Sequence, residues 1–199
     1  MKEIAVFISA SETHNLKNVN KTVAATLEEF GDVIGPAVSA GLRVRGYVST
    51  LWGCPYEGEI DPRAGVRIAR ALLEAGCYQV SLGDTIGCGT PRQTSDILEL
   101  FLSEFEPGQL AMHMHDTRGT ALANVLVGLE AGLRTFDASV GGAASARAGV
   151  ETTTRATASS GFVRSSGVVD AVYAYTMATR AAWRSDVRGN TRSLRNLSR

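Results

Sequence analysis

Five short β-rich runs alternate with longer helical patterns over residues 1–140, which predicts an α/β fold with a parallel sheet. Polar residues recur at the C-terminal ends of these runs: Ser9 and Ser11, Tyr47 and Ser49, Ser81 and Asp84, His113 and His115, Asp137 and Ser139. A (β/α)8 barrel gathers its chemistry at that end of its strands. No glycine-rich phosphate turn follows the first run, where ISASETHN stands, and this argues against a doubly wound sheet. A full barrel takes eight units and about 250 residues. The expectation is therefore a partial (β/α)8 TIM barrel, with about five of its eight strands present, all parallel.

EIAVFIS (3–9) reads as a buried strand. Over 18–40, Val19, Val23, Leu27, Phe30, Ile34 and Val38 recur at helical spacing, with Glu28, Glu29 and Asp32 among the polar positions. LRVRGYVST (42–50) is the second strand. Asp61 before Pro62 supplies an N-cap and a proline at the first helical position, and Gly76 stops that helix. YQVSLGD (78–84) is the third strand. Thr90-Pro91 repeats the start signal, with Ile97, Leu98, Phe101 and Leu102 on the apolar face. QLAMHMH (109–115) is the fourth strand, 120–131 a helix ended by Gly132, and RTFDASV (134–140) the fifth strand.

Residues 141–199 differ in kind. They hold 9 arginines, no lysine and 3 acidic residues, while the chain as a whole has a net charge of zero. In the 25 residues 141–165, 18 are Ala, Ser, Thr or Gly, which leaves little to bury. A basic tail alone would suit a nucleic-acid or membrane partner. Lysine-free, arginine-rich, small-residue composition is instead what GC-rich coding DNA yields when read out of register. The expected organisation is a partial barrel over 1–140 and a low-complexity, Arg-rich tail over 141–199, out of frame or disordered, with neither nucleic acid nor membrane as partner. The alternative is a genuine divergent tail, partly helical near 166–184.

No apolar run approaches a membrane span, and MKEIAVFISASE lacks a small-residue cleavage site. Three cysteines without metal-type spacing, Cys54, Cys77 and Cys88, suit a reducing, cytoplasmic setting. Cys54 reads as structural, and His14, in the polar THNLKN segment, as solvated.

His113 and His115 share one face of a strand, because side chains alternate. Two imidazoles facing one way at a strand end make half of a metal site; the alternative is one packed and one capping histidine. Asp84, in a Gly-Asp-Thr turn, is by itself an Asx-type turn stabiliser.

VRGYVSTLWGCPYEG (44–58), SLGDTIGCGTP (81–91), HMHDTRGTALAN (113–124) and DASV (137–140) together resemble the 3-hydroxy-3-methylglutaryl-CoA lyase family, over about residues 1–140. The resemblance implies a divalent cation, Mg²⁺ or Mn²⁺, held by His113 and His115, and metal-assisted retro-Claisen cleavage of a CoA thioester to acetyl-CoA and acetoacetate, in leucine degradation and ketone-body chemistry. It further implies Asp84 and His113 as catalytic residues, Tyr47 and Ser81 as substrate-binding ones, and leaves a homo-oligomer open. Ser11 and Glu12 lie where the family has a similar turn bordering its site.

Two departures accompany the resemblance. The family's opening strand carries an Arg-Asp pair, and the first strand here matches the family's fourth, so the chain is expected to be N-terminally truncated. Past Val140 the family continues into a Gly-Gly-Cys-Pro loop and a Gly-Asn element bearing the last metal ligand; here Gly141-Gly142 is followed by Ala143-Ala144-Ser145. Impaired catalysis by this chain alone is expected. The alternative is a non-catalytic partial-barrel fragment or pseudoenzyme serving as a binding module. A Claisen condensation, such as isopropylmalate or homocitrate synthesis, is disfavoured by GCPYEG and SLGDTIG.

Overall fold

The computed structural model describes residues 2–139 and the backbone of two further strands, Thr153–Ser159 and Phe162–Ser166. In chain order the elements are β1 (Glu3–Ser9), α1 (Glu12–Val19), α2 (Val23–Ser39), β2 (Arg43–Ser49), α3 (Pro62–Glu74), β3 (Gln79–Asp84), α4 (Pro91–Leu102), β4 (Leu110–Met114), α5 (Ala121–Glu130) and β5 (Thr135–Ser139). The first five strands pair in sequence order and are all parallel. That monotonic order is a barrel wall; a doubly wound sheet reverses direction partway. The strands β6 (Thr153–Ser159) and β7 (Phe162–Ser166) extend the same sheet in antiparallel pairing. The reading frame of the tail and its helix near 166–184 lie outside the described residues.

The helix starts follow local chemistry. The Asp61 carboxylate accepts the Arg63 N–H at 3.0 Å, and the Thr90 hydroxyl accepts that of Gln93 at 3.2 Å, each ahead of a proline in the first turn. A cap of this kind stabilises a helix by about 1 kcal/mol.

The 18–40 helix is a correction: it is two elements. Ser11 caps α1 by accepting the His14 N–H at 3.0 Å, and the helix ends at Asn20 in the left-handed region, φ 57°. Thr22 then caps α2. The polar α1 escapes a search for apolar periodicity because it buries so little; asparagine tolerates the left-handed stop that separates the two helices.

Strand alternation sorts the sheet into two faces. Val6, Ile8, Val44, Val48, Val80, Leu82, Met112, Met114 and Phe136 belong to a core shared with Ile34, Ile68, Leu72, Ile97, Leu98 and Phe101 of the helices. Each fully buried side chain of this kind contributes roughly 1.5–3 kcal/mol. Gly46 sits in this face because a Cβ there would lie 2.8 Å from Leu72, so glycine lets the helix approach. The opposite parity carries Phe7, Arg45, Tyr47, Gln79, Ser81, His113, Thr135 and Asp137. Among the described residues no helix is long and apolar enough to cross a membrane.

Candidate active site

A cavity of about 320 Å³ opens where the parallel strands end, walled by Phe7 of β1, Tyr47 of β2, Ser81 of β3, His113 and His115, with His14 and Asn18 of α1 closing one side. The register explains the grouping: Phe7 pairs with Tyr47, Tyr47 with Ser81, and His113 with Asp137 across neighbouring strands.

The two imidazoles converge. His113 Nε2 and His115 Nε2 lie 3.2 Å apart. Two nitrogens each about 2.1 Å from one cation, adjacent in an octahedron, stand about 3 Å from each other. The pair thus fits one divalent cation held at one edge. Among the described residues no cluster of three or more His, Cys, Asp or Glu side chains forms a larger metal site.

Behind His113 lies a buried polar network. Asp137 Oδ1 accepts Arg45 Nη1 at 2.7 Å; its Oδ2 accepts the Ser81 hydroxyl at 2.9 Å and faces His113 Nδ1 at 3.3 Å. Both ends of the ion pair are 1% exposed. Burial alone would raise the Asp137 carboxyl, but the His113 hydrogen bond and the Arg45 charge outweigh it and hold the group down at about 2. Burial likewise works against the Arg45 charge, and Asp137 reverses the balance, so its pKa rises. Arg45 Nη1 also donates to the Tyr47 hydroxyl at 2.7 Å. Burial, seconded by the Asp137 charge, raises the Tyr47 phenol well above its ordinary value, so it stays protonated. Its ring stacks on Phe7 at 4.5 Å between centroids and meets His113 edge-on.

Asp84 is placed differently. It shares the parity of Val80 and Leu82 and so turns toward the helices, away from the cavity. Its Oδ1 accepts the Cys88 N–H at 3.1 Å and its Oδ2 that of Gly89 at 2.8 Å, closing the β3–α4 turn on itself. The turn is then docked from outside: Thr120 and Asn124 both donate to the Gly89 carbonyl at 2.9 Å. At Gly87, φ +59°, a Cβ would lie 2.8 Å from the His115 carbonyl, so the turn presses directly on the end of β4. Of the residues singled out from sequence, His113, His115, Tyr47 and Ser81 come together; Asp84 stands apart as the keystone of a neighbouring turn.

Two contributors escaped the sequence reading. His14 is half-buried in the cavity wall, not solvated; burial pushes its pKa down, against the raising effect of Glu57. Its spacing from Asn18, one helical turn, is the signal once α1 is recognised. Arg45 is a charge inside the apolar LRVRGYV run, and a buried arginine demands an acid partner.

The turn after β2 is strained and tied down. Thr50, a β-branched residue at φ 66°, sits in the left-handed region. Its hydroxyl bonds that of Ser9 at 2.8 Å and accepts the Ser11 N–H at 3.2 Å, while its own N–H donates to Thr85 at 2.7 Å. Cys54 is buried, with its thiol 3.0 Å from the Ser11 hydroxyl.

A family model described as HMGL-like matches residues 1–162. The cytoplasmic 3-hydroxy-3-methylglutaryl-CoA lyase of Danio rerio is 49% identical over 140 residues, 70% of this chain and 42% of that protein. A crystal structure of hydroxymethylglutaryl-CoA lyase from Pseudomonas aeruginosa superposes with a TM-score of 0.69 at 47% identity, covering 70% of this chain and 47% of that one. The enzyme from Acinetobacter baumannii, in complex with coenzyme A and 3-methylmalate, gives 0.68 at 37% identity over 72% of this chain and 47% of that one. The chain spans about half the length of the curated relatives it matches.

Proposed function

This chain belongs to the HMGL-like family, and on that premise we propose that it carries the metal-and-substrate wall of a carbon–carbon lyase site of the hydroxymethylglutaryl-CoA type. The proposed reaction is retro-Claisen cleavage of a CoA thioester to acetyl-CoA and acetoacetate. One observation carries the reading: two imidazole Nε2 atoms 3.2 Å apart, facing a cavity and backed by a buried carboxylate. The bound coenzyme A in the Acinetobacter relative supports a CoA thioester here. Three free cysteines among the described residues support a cytoplasmic setting.

His113 and His115 would hold the cation. When bound, it supplies Lewis-acid polarisation of the substrate's oxygens. Tyr47 receives its hydrogen bond from Arg45 and keeps its own O–H for the cavity, where a thioester oxygen gaining enolate charge is a fitting acceptor. Ser81 donates its hydroxyl hydrogen bond to Asp137 and presents lone pairs to the cavity. His113 has Nδ1 on Asp137 and Nε2 for the cation, which leaves no nitrogen for moving a proton, so we assign it to holding alone. Asp84 could take the hydroxyl proton only by releasing the N–H groups of Cys88 and Gly89, and we assign it to positioning the turn beside His115.

Calorimetry with Mn²⁺, and acetoacetate release from hydroxymethylglutaryl-CoA, test the reading. Mn²⁺-dependent release that vanishes in His113→Ala upholds it. Mn²⁺ binding undiminished in both His113→Ala and His115→Ala overturns it. A second reading, a partial barrel that binds without catalysing, rests on the ligand set, since two imidazoles alone hold a hard cation weakly; it predicts no acetoacetate release even at saturating Mn²⁺.

A further inference from the structure

We propose that Asp137 is a positioning residue that fixes the tautomer and ring plane of His113, with Arg45 and Ser81 holding the carboxylate in place. The proposal rests on the reading of His113 as a metal ligand and says what makes it one.

An ionised carboxylate only accepts hydrogen bonds. Asp137 is ionised, because Oδ1 lies 2.7 Å from a guanidinium nitrogen within a fully buried pair. The proton in the 3.3 Å contact between Oδ2 and His113 Nδ1 therefore belongs to the ring. A neutral imidazole with its proton on Nδ1 has a lone pair on Nε2, the nitrogen that meets His115 at the cavity. Without a cation, the 3.2 Å contact then requires His115 Nε2–H as donor to His113. The two histidines are thus unequal: His113 is preset as a ligand and His115 is not.

The carboxylate cannot turn away from this task. Arg45 comes from β2, Ser81 from β3 and His113 from β4, so Asp137 on β5 is gripped from three other strands. Such carboxylate–histidine contacts orient metal ligands, and losing one typically lowers metal affinity about 10–100-fold.

Asp137→Asn makes the test sharp. With its oxygen kept on Arg45, the amide NH₂ takes the place of Oδ2 and donates to His113 Nδ1, which forces the proton to Nε2. In the ¹⁵N-labelled chain, long-range ¹H–¹⁵N correlation spectra report the tautomer directly, without metal. The expected result is His113 as Nδ1–H in the wild type and Nε2–H in Asp137→Asn, with Mn²⁺ affinity reduced about 10–100-fold by calorimetry. Should Asp137→Asn fail to fold, the double variant Arg45→Met with Asp137→Leu removes both charges together, and a mixture of His113 tautomers is then expected. An Nε2–H tautomer in the wild type, or an Nδ1–H tautomer retained in either variant, overturns the proposal, as does unchanged Mn²⁺ affinity in folded Asp137→Asn. Tautomer inversion in a chain that binds no Mn²⁺ upholds the positioning role and removes the metal reading instead.

Discussion

Two aspartates near the ends of parallel strands, Asp84 on β3 and Asp137 on β5, are both buried and both hydrogen-bonded through each oxygen. Asp84 spends its oxygens on backbone N–H groups four and five residues onward, within its own turn. Asp137 spends its oxygens on side chains 92, 56 and 24 residues away, on three different strands. The first carboxylate builds a loop; the second links the sheet to the cavity. Burial and full hydrogen bonding therefore do not distinguish a carboxylate that closes a turn from one that ties strands together. The face of the strand does, and so does the origin of the partners.

Metal binding separates the two aspartates most. His113→Ala and His115→Ala should each abolish Mn²⁺ binding in calorimetry, whereas Asp84→Asn should leave it intact. Loss of Mn²⁺ in the Asp84 variant would place both aspartates in one site after all.

Stability separates them next. Asp137→Ala strands the buried Arg45 charge and should cost about 3–5 kcal/mol in urea unfolding, with far less lost when Arg45→Met accompanies Asp137→Leu. An additive double variant would show that the ion pair is not the cause. Asp84→Asn replaces a charged acceptor of two N–H groups and should cost about 1–3 kcal/mol. In a preparation that releases acetoacetate from hydroxymethylglutaryl-CoA, turnover of that variant should stay close to wild type in proportion to the folded fraction. A severe fall with the fold intact would return Asp84 to the chemistry.

Acid titration gives the smallest separation. The Asp137 carboxyl is held at about 2, below the 3.8 of an exposed aspartate. A depressed carboxyl stabilises the folded chain fully above the unfolded value, and that stability fades as pH falls through the folded one. Urea midpoints measured downward from pH 5 should therefore drop between about 4 and 2, and Asp137→Asn should flatten that drop. An unchanged slope would assign the acid sensitivity elsewhere.

Much of this was legible before folding. Strands β1 to β5 fall within a residue or so of the runs read from 3–9, 42–50, 78–84, 109–115 and 134–140, because each pairs an apolar alternation with a turn signal. The α3 and α4 starts were legible because Asp61-Pro62 and Thr90-Pro91 act on their own neighbours. The α1 helix was not, since a short polar helix held by a Ser11 cap leaves no apolar stripe; missing it also misplaced His14. Strand parity was available for Asp84: 81 and 83 face one way and 84 the other, whereas 113, 115 and 137 lie on the cavity side.

Local sequence was enough to place β1 to β5, the starts of α3 and α4, and His113 and His115 on one face. These depend on contacts a few residues long, where backbone geometry leaves few choices. Only the tertiary structure decided that Arg45, Tyr47, Ser81, His113 and Asp137 form one network. A buried charge finds its partner through sheet order and register, which bring residues up to 92 positions apart to 2.7 Å, and no local rule carries that distance.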